Sequence, residues 1–315
     1  MNSYSPLPVN SVLKTIGHTP VVELNKVVPP GCARVLVKLE YFNPTGSYKD
    51  RMALAMVEEA EKRGDLKPGM TVVEYTGGST GSSLAFVCAM KGYPFHVVSS
   101  DAFAKEKLNT MRAFGANLEI IPSKEGKITP DLLPRLIARA KEIASQPGTY
   151  FTNQFYNKDA PKGYAKIGEE LLEQVKEKID AFCGGVGTAG MLTGVGGVLR
   201  KKDASVKIVA LEPASSAIIS TGVAGSHRIE GIGSGFIPPL LDKTSYDEAR
   251  GIEEKDARAM ARRVAKEEGI FAGTSSGLNI TGAIQLAKEL GPGKTVVTVA
   301  CDSGLKYLAG DLYID

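Results

Sequence analysis

Histidine and cysteine are scarce in this sequence, charge of one sign is scarcer still, and no apolar run is long. The three histidines, His18, His96 and His227, show no helical or short-range pairing, which argues against a His-based metal site. The four cysteines, Cys32, Cys88, Cys183 and Cys301, lack the paired spacing of a zinc site or a redox motif and read as buried free thiols. With 38 basic and 35 acidic side chains scattered along the chain, the net charge of +3 gives no footprint for nucleic acid or a membrane surface. A small-molecule partner is therefore expected. No stretch approaches the roughly 20 apolar residues of a membrane span. The start "MNSYSPLPVN" has no basic segment followed by an apolar core, so the expected location is the cytoplasm.

What is present is glycine, 35 of 315 residues, in a chain that is 43% apolar. That is the profile of an α/β protein with many strand-to-helix turns. The length suffices for two compact lobes, since single cores stop growing near about 250–300 residues. Strand-length apolar runs occur at "ARVLVKLEYF", "TVVEY", "FHVVSS", "NLEIIP", "AFCGG", "KIVALEP" and "TVVTVAC". Helical patterns fall between them, at 47–63, 83–91, 105–114, 131–145, 163–177, 255–268 and 280–290. Strands alternating with helices predict parallel-rich sheets flanked by helices, with ligands at the carboxyl ends of the strands. There are no repeats or low-complexity linkers, so the lobes should pack tightly.

Four strand-end segments could carry chemistry. In "NPTGSYKDR", residues 43–51, Ser47 and Asp50 have capping-box spacing, which predicts a helix starting at Ser47 with Lys49 in its first turn. A cation is disfavoured at that positive terminus, so the site favours a neutral amine, a nucleophile able to form a Schiff base. The plainer alternative is an exposed lysine whose stem snorkels to water. In "EYTGGSTGSSLAF", the turn Thr76–Gly81 precedes an apolar helix expected from about Ser82, and its amides could bind a carboxylate or phosphate. It could equally be a tight turn that uses glycine for positive φ.

In "CGGVGTAGMLTGVGG", Gly185, Gly187 and Gly190 have G-x-G-x-x-G spacing after a strand and before a helix. Glu212 follows about 20 residues later, where a dinucleotide fold places its ribose acid, so an NAD-binding oxidoreductase is a rival reading. In "VACDSGLKYL", a strand runs into Asp302, Ser303 and Gly304, where a hydroxyl could also simply cap the next helix. A buried amine with two anion-binding turns suits a cofactor bearing one aldehyde and one phosphate, as pyridoxal phosphate does.

Together these segments, with "TIGHTPVVELN", "TNQFYN", "EGIGSGFIP" and "GIFAGTSSG", resemble the cysteine synthase (O-acetylserine sulfhydrylase) and cystathionine β-synthase family over nearly the whole chain. The resemblance implies the two-lobed fold type II of pyridoxal 5'-phosphate enzymes, which is tryptophan synthase β-like. The smaller lobe would comprise residues 44–151, and the larger, cofactor-binding lobe 1–43 and 152–315. It makes Lys49 the Schiff-base lysine and the base at the substrate Cα. Gly184, Gly185, Val186, Gly187, Thr188, Ala189 and Gly190 would hold the cofactor phosphate, and Ser303 would face the pyridine nitrogen. Thr76, Gly77, Gly78, Ser79 and Thr80 would bind the substrate carboxylate with Gln154. Gly231 is a further substrate-binding residue, and Ser79 touches the cofactor as well. The implied reaction is β-replacement on an O-activated L-serine, through an aminoacrylate, by sulfide or another nucleophile, in a homodimer.

Three departures from the family pattern qualify this. Ser79 stands where the family "TSGNTG" has asparagine and leaves room beside the substrate. Met191 replaces a threonine of the phosphate loop, so one hydroxyl contact is missing and weaker cofactor retention is expected. Asp302 adjoins Ser303, and a carboxylate at the ring nitrogen would make a stronger electron sink. The alternatives to β-replacement are β-elimination by a cysteine or serine lyase, the NAD-binding oxidoreductase, and a non-catalytic paralogue.

Overall fold

A computed structural model describes residues 8–126 and 131–314. In chain order it contains β1 (Val21–Glu23), β2 (Arg34–Leu39), α1 (Lys49–Arg63), β3 (Thr71–Tyr75), α2 (Ser79–Lys91) and β4 (Phe95–Ser100). Then follow α3 (Lys105–Ala113), β5 (Asn117–Ile121), α4 (Leu132–Ala144), β6 (Thr149–Phe151), α5 (Ala160–Gln174) and β7 (Ala181–Gly185). The chain continues through α6 (Gly190–Lys202), β8 (Lys207–Pro213), β9 (Glu248–Ile252), α7 (Glu254–Glu268), α8 (Thr274–Leu290) and β10 (Thr295–Ala300).

The strands form two sheets. One has the order β1-β2-β10-β7-β8-β9, parallel except for β1, which pairs antiparallel with β2. The other is parallel throughout, in the order β5-β4-β3-β6. Strands such as β10 (TVVTVA) and β8 (KIVALEP) read as continuous apolar runs because helices cover both faces of a parallel sheet. Lys38 in β2 is the exception that proves satisfiable. Its buried ammonium donates to Thr19 O at 2.6 Å, Glu170 Oε2 at 2.6 Å and Gln174 Oε1 at 2.7 Å.

Several helix starts differ from the sequence expectation. α8 begins at Thr274 instead of 280, because Thr274, Ser275, Ser276 and Gly277 look like a loop but are buried against the core. α2 begins at Ser79 instead of 82–83, and α5 runs three residues earlier than expected, with Pro161 in its first turn. The expected capping box of α1 does not form. The helix starts at Lys49 after a helical Tyr48, and Asp50 turns back to accept from Thr45 N (2.8 Å) and Thr45 Oγ1 (2.5 Å). Asp50 therefore closes the preceding turn instead of the helix end.

Candidate functional site

The carboxyl ends of β2, β10 and β7 are neighbours in the larger sheet, so the segments that leave them meet. After β10, residues 301–303 lie between two extended segments. Tyr48 N donates to Cys301 O at 2.9 Å and Ser303 N to Gly46 O at 2.9 Å. On the other side, Gly273 N donates to Asp302 O at 3.1 Å. This strip is what aims Lys49 inward, and Arg51, two residues on, anchors the helix. Its guanidinium pairs with Glu40 at 2.7 Å and Glu170 at 2.7 Å, all three in or near the core.

Lys49 is buried, with its ammonium 4.7 Å from the Tyr48 ring centre and 5.8 Å from that of Tyr164. Burial pushes its pKa down to about 8. The Cys301 thiol beside it is itself pushed up to about 12 by burial, so it stays protonated and lends Lys49 no charge. Near neutral pH, on the order of a tenth of Lys49 is thus an unprotonated amine.

A cavity lined by Tyr48, Lys49, Tyr164, Gly185, Gly187, Thr188, Ala189, Met191 and Leu192 joins this amine to the turn between β7 and α6. That turn is held by backbone. Gly185 N donates to Asn279 Oδ1 at 2.7 Å, and Asn279 Nδ2 donates to Val299 O at 2.9 Å, bracing β7 against β10. Gly233 N donates to Val186 O at 3.0 Å, and a Cβ on Gly187 would lie 2.4 Å from Gly231 O. Gly231 and Gly187 therefore close on one another as bare backbone. Ala189, at φ 70°, turns the chain into α6, whose first amides have no intrahelical partners and face an anion-binding end. Met191 lies over Gly184, where a Cβ would meet its methyl at 2.4 Å.

The turn between β3 and α2 is built differently. Thr80 Oγ1 donates to Gln154 Oε1 at 2.8 Å, and Gly78 N donates to Thr76 Oγ1 at 3.2 Å. Gly77 has no room for a Cβ, which would overlap the Phe103 ring. Beneath the turn, the buried Glu74 accepts from Tyr75 N (2.9 Å), Gln154 N (3.0 Å) and Thr152 Oγ1 (2.8 Å). Burial pushes the Glu74 carboxyl up to about 7 against those three bonds. The Ser79 hydroxyl receives a bond from Lys306 Nζ at 3.2 Å and lies 3.5 Å from Asp302 Oδ2.

The structure thus brings Lys49, the 184–190 turn and Gly231 together, and joins Gln154 to Thr80. Ser303 follows β10 beside the Lys49 segment. Its hydroxyl accepts from Leu305 N at 3.2 Å and its Cβ packs toward Gly46. Its neighbour Asp302 is buried, accepting from the Tyr307 hydroxyl at 2.9 Å. Glu212 caps a loop, accepting from Ile219 N and Ser220 N at 2.8 Å each, which accounts for it without a ribose.

Glu74, Asn279 and Lys306 escaped the sequence reading. The available signals were faint: a charge inside "TVVEY", and one amide in the apolar run of α8. A larger depression of about 750 Å³, lined by Arg34, Asp180 and Lys294 among others, opens at the opposite, amino ends of β2, β7 and β10.

The residues fit a pyridoxal phosphate. A buried amine with a depressed pKa faces a cradle of backbone amides in which Gly187 admits no side chain. Comparison with known proteins agrees. The chain is 48% identical to a cysteine synthase of Staphylococcus aureus (strain Mu50) over 308 residues, 97% of each chain. The fold is similar to that of O-acetylserine sulfhydrylase isoform 3 from Entamoeba histolytica, at TM-score 0.92 and 38% identity, covering 100% of this chain and 95% of that one. It also resembles O-ureido-L-serine synthase, at TM-score 0.89 and 38% identity, covering 98% and 96%. The family model described as "Pyridoxal-phosphate dependent enzyme" matches residues 12–302, and with it the NAD-binding alternative falls: the chain belongs to the pyridoxal-phosphate dependent enzymes.

Proposed function

We propose that this chain catalyses β-replacement on an O-activated L-serine such as O-acetyl-L-serine, with sulfide or another thiol as nucleophile, using pyridoxal 5'-phosphate. The observation that carries the reading is the buried Lys49 amine, with a pKa of about 8, facing the turn between β7 and α6.

Lys49 would hold the cofactor aldehyde, and the 184–190 turn its phosphate, through backbone amides and the Thr188 hydroxyl. When bound, the cofactor supplies the electron sink for the pair left at the substrate Cα. The Thr76–Thr80 turn and Gln154 would orient the substrate carboxylate, with Glu74 fixing the Gln154 backbone from below. The Lys49 amine would remove the Cα proton and return it once the nucleophile has added at Cβ. Tyr48 and Tyr164 exclude water around that amine, which keeps it a base.

The two sheets would be the cores of two lobes, 44–151 and the remainder, with the site between them. A homodimer in the cytoplasm completes the reading, and sedimentation velocity tests the dimer. Among the described residues, no helix is long and apolar enough to cross a membrane.

The test is cysteine formation from O-acetyl-L-serine and sulfide, read beside the visible band of the lysine-linked cofactor. Lys49→Ala is expected to remove the band and lower turnover on the order of a thousandfold. Pyruvate released at the same rate with or without sulfide would replace the reading by β-elimination. Absence of any band after adding the cofactor would overturn it.

A further inference from the structure

Of the three histidines, His227 sits in a loop that the reaction described above leaves without a role. Between β8 and β9 the chain runs from Ala214 to Asp247 in loops and two short 3-10 turns. Residues 229–233 of that stretch lie on the turn between β7 and α6. Gly231 O faces Gly187, a Cβ on Gly185 would meet the Ile232 side chain at 3.1 Å, and Gly233 N donates to Val186 O at 3.0 Å. The shape of the turn therefore depends on the loop.

Side chains hold the loop in place. Arg228 N donates to Glu254 Oε2 at 2.7 Å and Glu230 N to Thr274 Oγ1 at 3.0 Å, while the Glu230 carboxylate pairs with Lys107. Those bonds tie it to α7, α8 and α3. His227 ties the loop to itself: Ile229 N donates to Nδ1 at 3.2 Å, and Nε2 lies 2.9 Å from Gly233 O. A backbone amide can donate but not accept and a carbonyl the reverse, so the ring carries a proton on Nε2 and leaves Nδ1 bare. Gly231 and Gly233, at φ 84° and 66°, bend the chain back round the ring. A Cβ on Gly233 would stand 2.5 Å from Nε2, so the imidazole fills the bend.

We infer that His227 is a positioning residue for cofactor binding, whose ring fixes the 229–233 loop in the form that shapes the phosphate turn. The inference rests on the reading that the 184–190 turn holds the cofactor phosphate. The bond to Gly233 O carries the effect, because it and the bond from Gly233 N to Val186 O fix the two sides of one residue. The bond from Ile229 N closes only the near end of the loop.

The experiment measures, on the full chain, the dissociation constants of pyridoxal phosphate and of pyridoxal, which lacks the phosphate, from the visible band of the lysine-linked cofactor. Asparagine places its carboxamide where the ring has Nδ1, and glutamine where it has Nε2. His227→Asn thus keeps the Ile229 bond and His227→Gln the Gly233 bond. In His227→Asn pyridoxal phosphate is expected to bind about tenfold more weakly, the worth of one such hydrogen bond, with pyridoxal unchanged. His227→Gln is expected to stay within about threefold of the wild type for both. Equal loss for the two ligands, or Asn and Gln variants that behave alike, overturns the inference and leaves the phosphate reading standing. A wild type that binds both ligands equally refutes the phosphate reading, and the inference with it.

The wild type gives a second reading that needs no variant. Heteronuclear NMR of the histidine rings should show His227 with its proton on Nε2, and its signals should shift with pyridoxal phosphate but not with pyridoxal. A proton on Nδ1, or signals that do not distinguish the two ligands, overturns the inference.

Discussion

The turn between β3 and α2 is tied down by side chains, whereas the turn between β7 and α6 is tied down by backbone and a single amide, Asn279. In the first, Thr80, Gln154 and Glu74 form one hydrogen-bonded set, and Lys306, Ser79 and Asp302 another. In the second, Gly187 presses on Gly231 O, and the neighbouring side chains, Met191 and Leu192, are apolar. The two turns share strand, glycine and helix N-terminus, so the local chain path is not what separates them. A backbone cradle suits an anion of fixed shape that never changes, such as a cofactor phosphate. A side-chain cradle suits a group that must be told apart from similar ones, because exchanging a side chain changes what is accepted while the backbone stays put.

That contrast can be broken at defined points. Asn279→Ala removes the brace of the backbone turn and leaves the Gly185 amide and Val299 carbonyl each without that bond. A loss on the order of 2–4 kcal/mol of stability is expected in chemical denaturation. Gly187→Ala puts a methyl against Gly231 O. On the order of 2 kcal/mol, or about thirtyfold in the cofactor dissociation constant, is expected. Gly197→Ala, on the open face of α6 with nothing within 4 Å of the added Cβ, serves as the control that leaves cofactor affinity unchanged.

Glu74→Gln probes the side-chain turn. The folded-state pKa of about 7 lies above the ordinary 4.5, so the folded protein binds the extra proton between those values. The Glu74 contribution to stability is therefore full below about pH 4.5 and lost as pH rises through about 7. Relative to the Gln variant, the wild type should lose on the order of 3 kcal/mol across that window. Denaturation midpoints at pH 4.5 and 7.5 check this, and parallel curves would remove Glu74 as the titrating group.

The smallest effect has the opposite sign. Ala189 holds a left-handed conformation at φ 70°, which a non-glycine residue adopts at a cost of about 1–2 kcal/mol. Ala189→Gly should stabilise the protein by about 1 kcal/mol, read as a rise in Tm, partly offset by the greater freedom of glycine in the unfolded chain.

How much of this was legible beforehand depends on how far apart the interacting residues lie. Lys49 and the glycine turns announce themselves because each motif is contiguous and its neighbours in sequence are its neighbours in space. The start of α8 was misplaced because Ser275 and Ser276 look like loop residues, and only the core around them makes a buried helix of them. Asp50 was assigned to the wrong end of its own turn, since Thr45 offers it two donors where the helix terminus would offer fewer.

The sequence by itself determined the parallel α/β architecture, the lysine, and the two glycine turns. These follow from hydrophobic period and from the few residues that tolerate a strand-to-helix turn. Only the tertiary structure decided that Asp302 and Lys306 flank Ser79 more than two hundred residues away, that Asn279 braces Gly185, and that burial sets the Lys49 amine near pH 8. The physical reason is that hydrogen bonds and desolvation act through space. Local periodicity records which side of an element is buried, and carries no information about which distant side chain waits there.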